Sequence, residues 1–130
     1  MKLVYLCVLC ITILGCTAPV TNSDIAAANF PSKPTTENSD AQINQYLQNT
    51  LKDPDSLKLK CEPARKGWGR QFRERKPDYG WIVPCSVNAK NSFGGYTGPK
   101  PYIFLFTSQG LKILEVSMFR EFNEHIGYLD

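Results

Sequence analysis

The sequence predicts an α+β domain: a small, mostly antiparallel sheet of about four strands with an N-terminal helix packed on one face. Three observations carry this prediction. Ile43, Tyr46, Leu47 and Leu51 fall at helical spacing, and Trp81, Val83, Cys85 and Val87 recur at every second position. Two apolar runs also flank Ser108-Gln109-Gly110, the pattern of a hairpin.

In chain order, Ser39-Asp40-Ala41-Gln42 reads as a capping box that opens a helix over 40 to 52. Asp53-Pro54-Asp55-Ser56 then breaks it, because the residue before a proline disfavours the α region and Asp and Ser favour turns. Leu57, Leu59 and Cys61 alternate with Lys58 and Lys60, which predicts a strand with one buried face. A second strand covers Trp81 to Val87. The runs Tyr102 to Thr107 and Leu111 to Met118 form the hairpin, and Phe119, Phe122 and Ile126 at helical offsets suggest a short final helix. Residues 40–130 are enough for one self-sufficient core and hold no internal repeat.

Residues 16–39 predict a different regime. Thr, Asn, Ser, Pro and Ala dominate, Ile25 and Phe30 are the large apolar residues, and such a composition buries too little surface to offset its ordering entropy. A flexible tether is the expectation. Before it, Met1-Lys2 supplies a minimal positive region and Leu3 to Leu14 an apolar run. A spanning helix needs roughly 20 apolar residues and a secretory signal only about 7 to 15, so residues 1–15 read as a signal peptide.

The junction Ile13-Leu14-Gly15-Cys16 resembles the lipobox of bacterial lipoproteins, in which an aliphatic and a small residue precede the acylated cysteine. The resemblance implies cleavage before Cys16, a diacylglycerol on its thiol and an acyl chain such as palmitate on its amino group. Several chains anchor stably where one binds marginally, each buried CH₂ contributing about 0.8 kcal/mol. Thr17 in place of Asp implies, within that family, an outer-membrane rather than inner-membrane destination, with the domain facing the periplasm. The alternative is an ordinary cleaved signal with Cys16 incidental. Without Lys2, fourteen basic residues face twelve acidic ones, a balance that singles out no partner class.

Cys7 and Cys10 leave with the signal and Cys16 is lipidated, which leaves Cys61 and Cys85. Two thiols in an oxidising envelope suggest one disulfide; a pair of buried free thiols is the alternative. With one histidine and no Cys-x-x-Cys after the signal, neither a metal nor a cofactor is expected.

Two segments are candidates for binding. Lys58 to Lys76 holds eight basic residues against Glu62 and Glu74, with Trp68 and Phe72 interleaved. Arg65, Lys66, Trp68, Arg70, Phe72 and Arg73 thus combine cations with stacking surfaces, as anion-binding surfaces do. For an anchored envelope protein the expected partner is an anionic envelope component or an acidic protein, not nucleic acid. The bland alternative is a solvated loop. The second segment, Asn88 to Gly98, surrounds two aromatics with amides and three glycines, the composition of a shaped turn. Lys90, Asn91, Phe93 and Tyr96 either form a partner-binding loop or cover the sheet by folding back, as aromatics beside glycines often do.

Here the chain resembles a group of small, uncharacterised bacterial envelope and phage-associated proteins that pair an LKDPxS segment, Leu51 to Ser56, with an NAKNSFGGYTG segment, Asn88 to Gly98. The resemblance extends from Gln45 onward and implies a shared fold without assigning chemistry.

Enzyme signatures are absent: no Gly-x-Ser-x-Gly elbow, no His-Glu-x-x-His helix and no phosphate-cradling Gly-x-x-x-x-Gly-Lys loop occurs. A Cys85 nucleophile with His125 as base would need a thiol that the disulfide consumes. Glu121 and Glu124, three apart, suit a solvated helix face better than paired acid and base. The expectation is therefore a non-catalytic binding module on a lipid anchor. The alternative from another class is a periplasmic inhibitor or phage exclusion factor.

Overall fold

A computed structural model describes residues 18–71, 74–114 and 125–130. These hold two helices, α1 (Asn22–Ala27) and α2 (Thr36–Thr50), and six strands: β1 (Asp53–Cys61), β2 (Arg65–Gly69), β3 (Asp78–Lys90), β4 (Lys100–Thr107), β5 (Gly110–Leu114) and β6 (Ile126–Tyr128). The class is α+β and the sheet is antiparallel, with six strands rather than about four.

β3 organises the sheet. Along one edge it pairs with β4, from Gly80↔Thr107 to Val87↔Lys100. Along its other edge, the first part pairs with β2, from Gly69↔Asp78 to Arg65↔Ile82, and the second with β1, from Cys61↔Cys85 to Lys58↔Asn88. β5 extends the sheet beyond β4, and β6 beyond β2. A proline in a central strand normally breaks a ladder bond. Pro84 escapes this because it lies at the corner between β1 and β2, where its carbonyl accepts the Glu62 N–H at 2.8 Å and no partner calls on the missing donor. At the same corner Cys61 and Cys85 sit directly opposite each other and are joined as a disulfide.

The period of two assigns the two faces. On one, Val83, Cys85 and Val87 meet Phe104 and Phe106 of β4, and α2 lays Ile43 and Leu47 over them. Both helix residues are fully buried, a burial worth about 1.5–3 kcal/mol each. Tyr46 approaches Phe104 edge-on, with ring centroids 5.9 Å apart. On the other face, Ile82, Ile103, Leu105 and Leu114 form a second cluster that no helix among the described residues covers; the sheet curls over it. Glycines permit the curl: a Cβ on Gly69 would lie 2.3 Å from Leu114 Cδ1, and one on Gly80 2.0 Å from the Phe106 carbonyl oxygen.

Several sequence expectations need correcting. The packed helix follows α1 among the described residues and starts at Thr36, not at 40, because Thr35 is its N-cap and accepts the Asn38 N–H at 3.2 Å. Ser39 instead lies buried within the helix, its hydroxyl bonded to the Thr36 carbonyl. The helix does end before Asp53-Pro54-Asp55-Ser56, but these residues open β1 rather than form a separate turn, with an irregular register between Asp53 and Lys58. Part of the supposed basic loop is β2, and Ile126 lies in β6 rather than in a helix. Phe119, Phe122, Glu121, Glu124 and the segment 115–118 of the expected final strand lie outside the described residues, as do the signal segment and Cys16.

The expected tether is also different. Residues 18–35 lie along the helix-bearing face at the β2 end. Thr21 and Asp24 form a capping box for α1. Phe30 meets Tyr79 edge-on at 5.8 Å, and the Pro31 carbonyl accepts the Trp81 indole N–H at 2.9 Å. Among the described residues, no helix is long and apolar enough to cross a membrane.

Three outcomes follow from this arrangement. Gly80→Ala should destabilise the domain by about 2–3 kcal/mol in urea unfolding, since the added methyl meets backbone that cannot swing away. Gly95→Ala, in open surroundings, should stay within about 0.5 kcal/mol. Replacing both Cys61 and Cys85 with alanine should lower the unfolding free energy by about 3 kcal/mol, and reductant should then no longer shift the melting curve.

Candidate functional site

β3 ends in a turn built by one side chain. The Asn91 side-chain oxygen accepts the N–H groups of Phe93 at 2.9 Å and Gly95 at 3.1 Å, the pattern that lets asparagine stabilise turns. Asn91 N–H donates to the Gly95 carbonyl and Gly94 N–H to the Asn91 carbonyl, closing a tight loop. Gly94 takes φ +80° there, a conformation that side chains rarely adopt.

The two aromatics of this loop behave differently. Tyr96 folds back, forms a bridge with Lys90 and donates its hydroxyl to the Ser56 carbonyl at 2.9 Å. Lys58 Nζ lies 4.3 Å and Lys90 Nζ 5.7 Å from its ring centroid, so two ammonium groups share one ring. Ser56 Oγ in turn accepts the Lys90 N–H at 2.8 Å. Phe93 covers nothing: it is 96% exposed at the tip of the ordered turn. Holding it out forgoes about 1.5–3 kcal/mol of burial. Of the two aromatics, Tyr96 thus folds back onto β1, whereas Phe93 does not pack on the sheet. Lys58 and Ser56 join the site through the β1–β3 register, a long-range pairing with no local signal.

Within β2 the basic run is split rather than gathered. Neighbouring strand residues face opposite ways, so β2 sends Arg65 and Lys66 to different faces. Arg65 forms a bidentate pair with Asp130, both bonds 2.8 Å, and its guanidinium lies 3.8 Å from the Tyr128 ring centroid. Lys66 Nζ sits 4.2 Å from the Phe30 ring centroid. Trp68 is half-buried under Arg70, which is itself buried and donates to the Ala18 carbonyl at 3.0 Å. Phe72 and Arg73 lie outside the described residues. Lys58 at the start of the run reaches Tyr96 of the Asn88 to Gly98 loop, but the β2 part does not: Arg65 pairs opposite Ile82, eight residues or about 26 Å along β3 from Lys90.

No family model, curated protein or solved structure matches the chain.

The site's chemistry therefore has to be read from the side chains. Cys85 Sγ is bonded to Cys61, so the pairing of a Cys85 thiolate with His125 has no nucleophile in this state. His125 instead contributes its carbonyl, which accepts the Arg70 N–H at 2.7 Å. Among the described residues, no three His, Cys, Asp or Glu side chains converge on a common point. What the hairpin end offers is one exposed apolar ring, Phe93, and two cations gathered over the Tyr96 ring three residues on.

Charge pairing at the opposite end is structural. The hydrogen bonds from Arg65 hold the Asp130 carboxyl below the usual carboxylate range, and the same contact raises the Arg65 guanidinium. Burial raises the Tyr128 phenol beside them. A depressed acid contributes stability above its ordinary pKa and loses it as the pH falls through the folded value. The stability gap between the native chain and Asp130→Asn should therefore be constant near neutrality, shrink below the ordinary aspartate range and vanish in stronger acid, as followed by urea unfolding at each pH. The pair is half-exposed, so salt should narrow the gap as well.

Proposed function

We propose that this chain is a lipid-anchored lipoprotein of the bacterial cell envelope, acylated at Cys16 and facing the periplasm from the outer membrane. Its domain is a non-catalytic binding module that engages an envelope protein through the tip of the β3–β4 hairpin. The anchoring half of the reading is supported by the apolar run and the lipobox-like Ile13-Leu14-Gly15-Cys16. The binding half is carried by one observation: Phe93 is almost fully exposed on a turn that hydrogen bonds hold in shape.

An aromatic ring in that position gains on complex formation what it forgoes in the free domain, and the preformed turn reduces the ordering entropy lost on binding. Exposed aromatics that enter a partner's pocket carry much of the energy of protein interfaces. Lys58 and Lys90, gathered over Tyr96 in the same hairpin, add positive charge to this end of the domain, which favours an acidic rim and speeds encounter rather than deepening affinity. The reading thus centres the contact surface on Lys58, Lys90, Asn91, Phe93 and Tyr96 rather than on Arg65, Lys66, Trp68 and Arg70.

A photoreactive amino acid at position 93, in full-length protein in intact envelopes, should capture one protein partner, whereas the same group at Ser108 should not. Phe93→Ser should weaken that partner's binding about thirtyfold, the size of a hot-spot truncation. Equal capture from both positions, or unchanged binding by Phe93→Ser, would sink the proposal.

A further inference from the structure

We infer that the domain does not hang from a tether but lies directly on the membrane, with the pocket formed by Ala18, Arg70, Arg75 and Lys76 seated on anionic lipid headgroups. The inference rests on the reading of Cys16 as the acylated residue.

The first step is distance. Cys16 precedes Ala18 by two residues, and consecutive Cα atoms are 3.80 Å apart, so the acylated residue lies within about 8 Å of Ala18. Ala18 is not free to roam, because its carbonyl accepts a hydrogen bond from Arg70 at 3.0 Å. The chain that follows is fixed to the sheet through Phe30 on Tyr79 and the Pro31 carbonyl on Trp81. A segment that would give reach to an anchored domain is therefore used up along the domain's own surface. The acyl chains enter the bilayer beside this pocket.

The second step is charge. The pocket, of about 410 Å³, is lined by three cations and, among the described residues, by one acid, Asp24. Asp24 is already engaged, accepting from the Thr21 N–H at 2.9 Å as part of the α1 cap. Arg75 and Lys76 are exposed. Arg70 is buried, and its Nε has no acceptor among the described residues. A phosphate entering the pocket supplies acceptors to a guanidinium and two surface cations at once, and arginine suits that geometry. Basic residues next to a lipid anchor act with it, since stable attachment takes more than one signal.

The third step is direction. Asp78, which starts β3 beside this pocket, and Lys90, which ends it at the hairpin, are separated by up to about 40 Å of strand. With the Arg75 end against the headgroups, Phe93 projects from the opposite end of the domain.

The test uses full-length acylated protein in phosphatidylcholine vesicles with and without phosphatidylglycerol, in the presence of a headgroup spin label that quenches fluorescence at short range. A fluorophore is placed at Ala27, which lines the pocket, or at Ser92, in the hairpin. Position 27 should be quenched and position 92 should not, with quenching stronger when phosphatidylglycerol is present and weaker in high salt. Arg75→Gln with Lys76→Gln should shift the balance roughly 25-fold toward the undocked state and relieve the quenching, while the acylated protein still floats with the vesicles. Equal quenching at both positions, or quenching at 27 that ignores both lipid charge and the double substitution, overturns the docked arrangement and leaves the anchor standing. An N-terminal peptide without acyl mass overturns the anchor itself and the docking with it.

Discussion

The rest of the fold depends on β3 being hydrogen-bonded along both edges. A strand with two partnered edges has no freedom to rotate, so each residue's face is fixed, and every layer is placed by that alternation. Val83, Cys85 and Val87 must meet α2, and Ile82 must enter the curl. β1 and β2 divide one edge between them, and the place where they divide is the one place where Pro84 can stand. The disulfide closes that corner, joining the strand that leads to the hairpin to the one from which the basic run departs.

Alternation also accounts for the fate of the charges. A run of cations along a sequence makes a patch only when the backbone presents consecutive residues to the same side, and an extended strand does the reverse. β2 splits Arg65 from Lys66, and each finds an aromatic ring, Tyr128 for one and Phe30 for the other. Exposed pairs of this kind are each worth about 0.5–1 kcal/mol, so none dominates. Together they make the β2 part of a seemingly ligand-seeking segment a fastening for Phe30 on one face and Tyr128 on the other. At the hairpin the same kind of pairing brings Lys58 and Lys90 over Tyr96, but there a second ring, Phe93, is left without a partner among the described residues.

What could be read from the sequence follows from how local each signal is. The core of β3, the run 102 to 107 and the hairpin at Ser108-Gln109-Gly110 were legible because their period and turn residues are local. β2 was not, since Gly67 and Gly69 lower strand propensity; they are there because Leu114 and the Gly127 carbonyl leave no room for a Cβ, a fact of distant residues. The sequence places the helix start one turn late, because the capping-box pattern at Ser39 is local whereas the burial that places Ser39 inside the helix is not. Residues 18–35 misled most. Composition measures average burial, whereas this segment is held by a few separate anchors: one ring, one backbone carbonyl and one acceptor for a buried arginine. In the hairpin, the glycines and Asn91 announced a shaped turn, but nothing local distinguished the ring that folds back from the one that stands out. The difference is made by Ser56 and Lys58, which the β1–β3 register brings from some forty residues away.

A docked domain and a tethered one would meet a partner under different rules. A flexible arm lets the binding tip sample a broad volume, so its effective concentration at any one place is low and depends weakly on where the partner stands. A body resting on the membrane presents its tip at one height, set by the length of β3, and concentrates it there. The segment that would have provided reach provides rigidity instead: Phe30, Pro31 and Ala18 hold it to the strands that carry the hairpin at their other end. A partner suited to such a tip is itself fixed relative to the membrane, with its apolar pocket at the height that β3 dictates. On that geometry, the position of Phe93 in space, and not only its chemistry, selects what it meets.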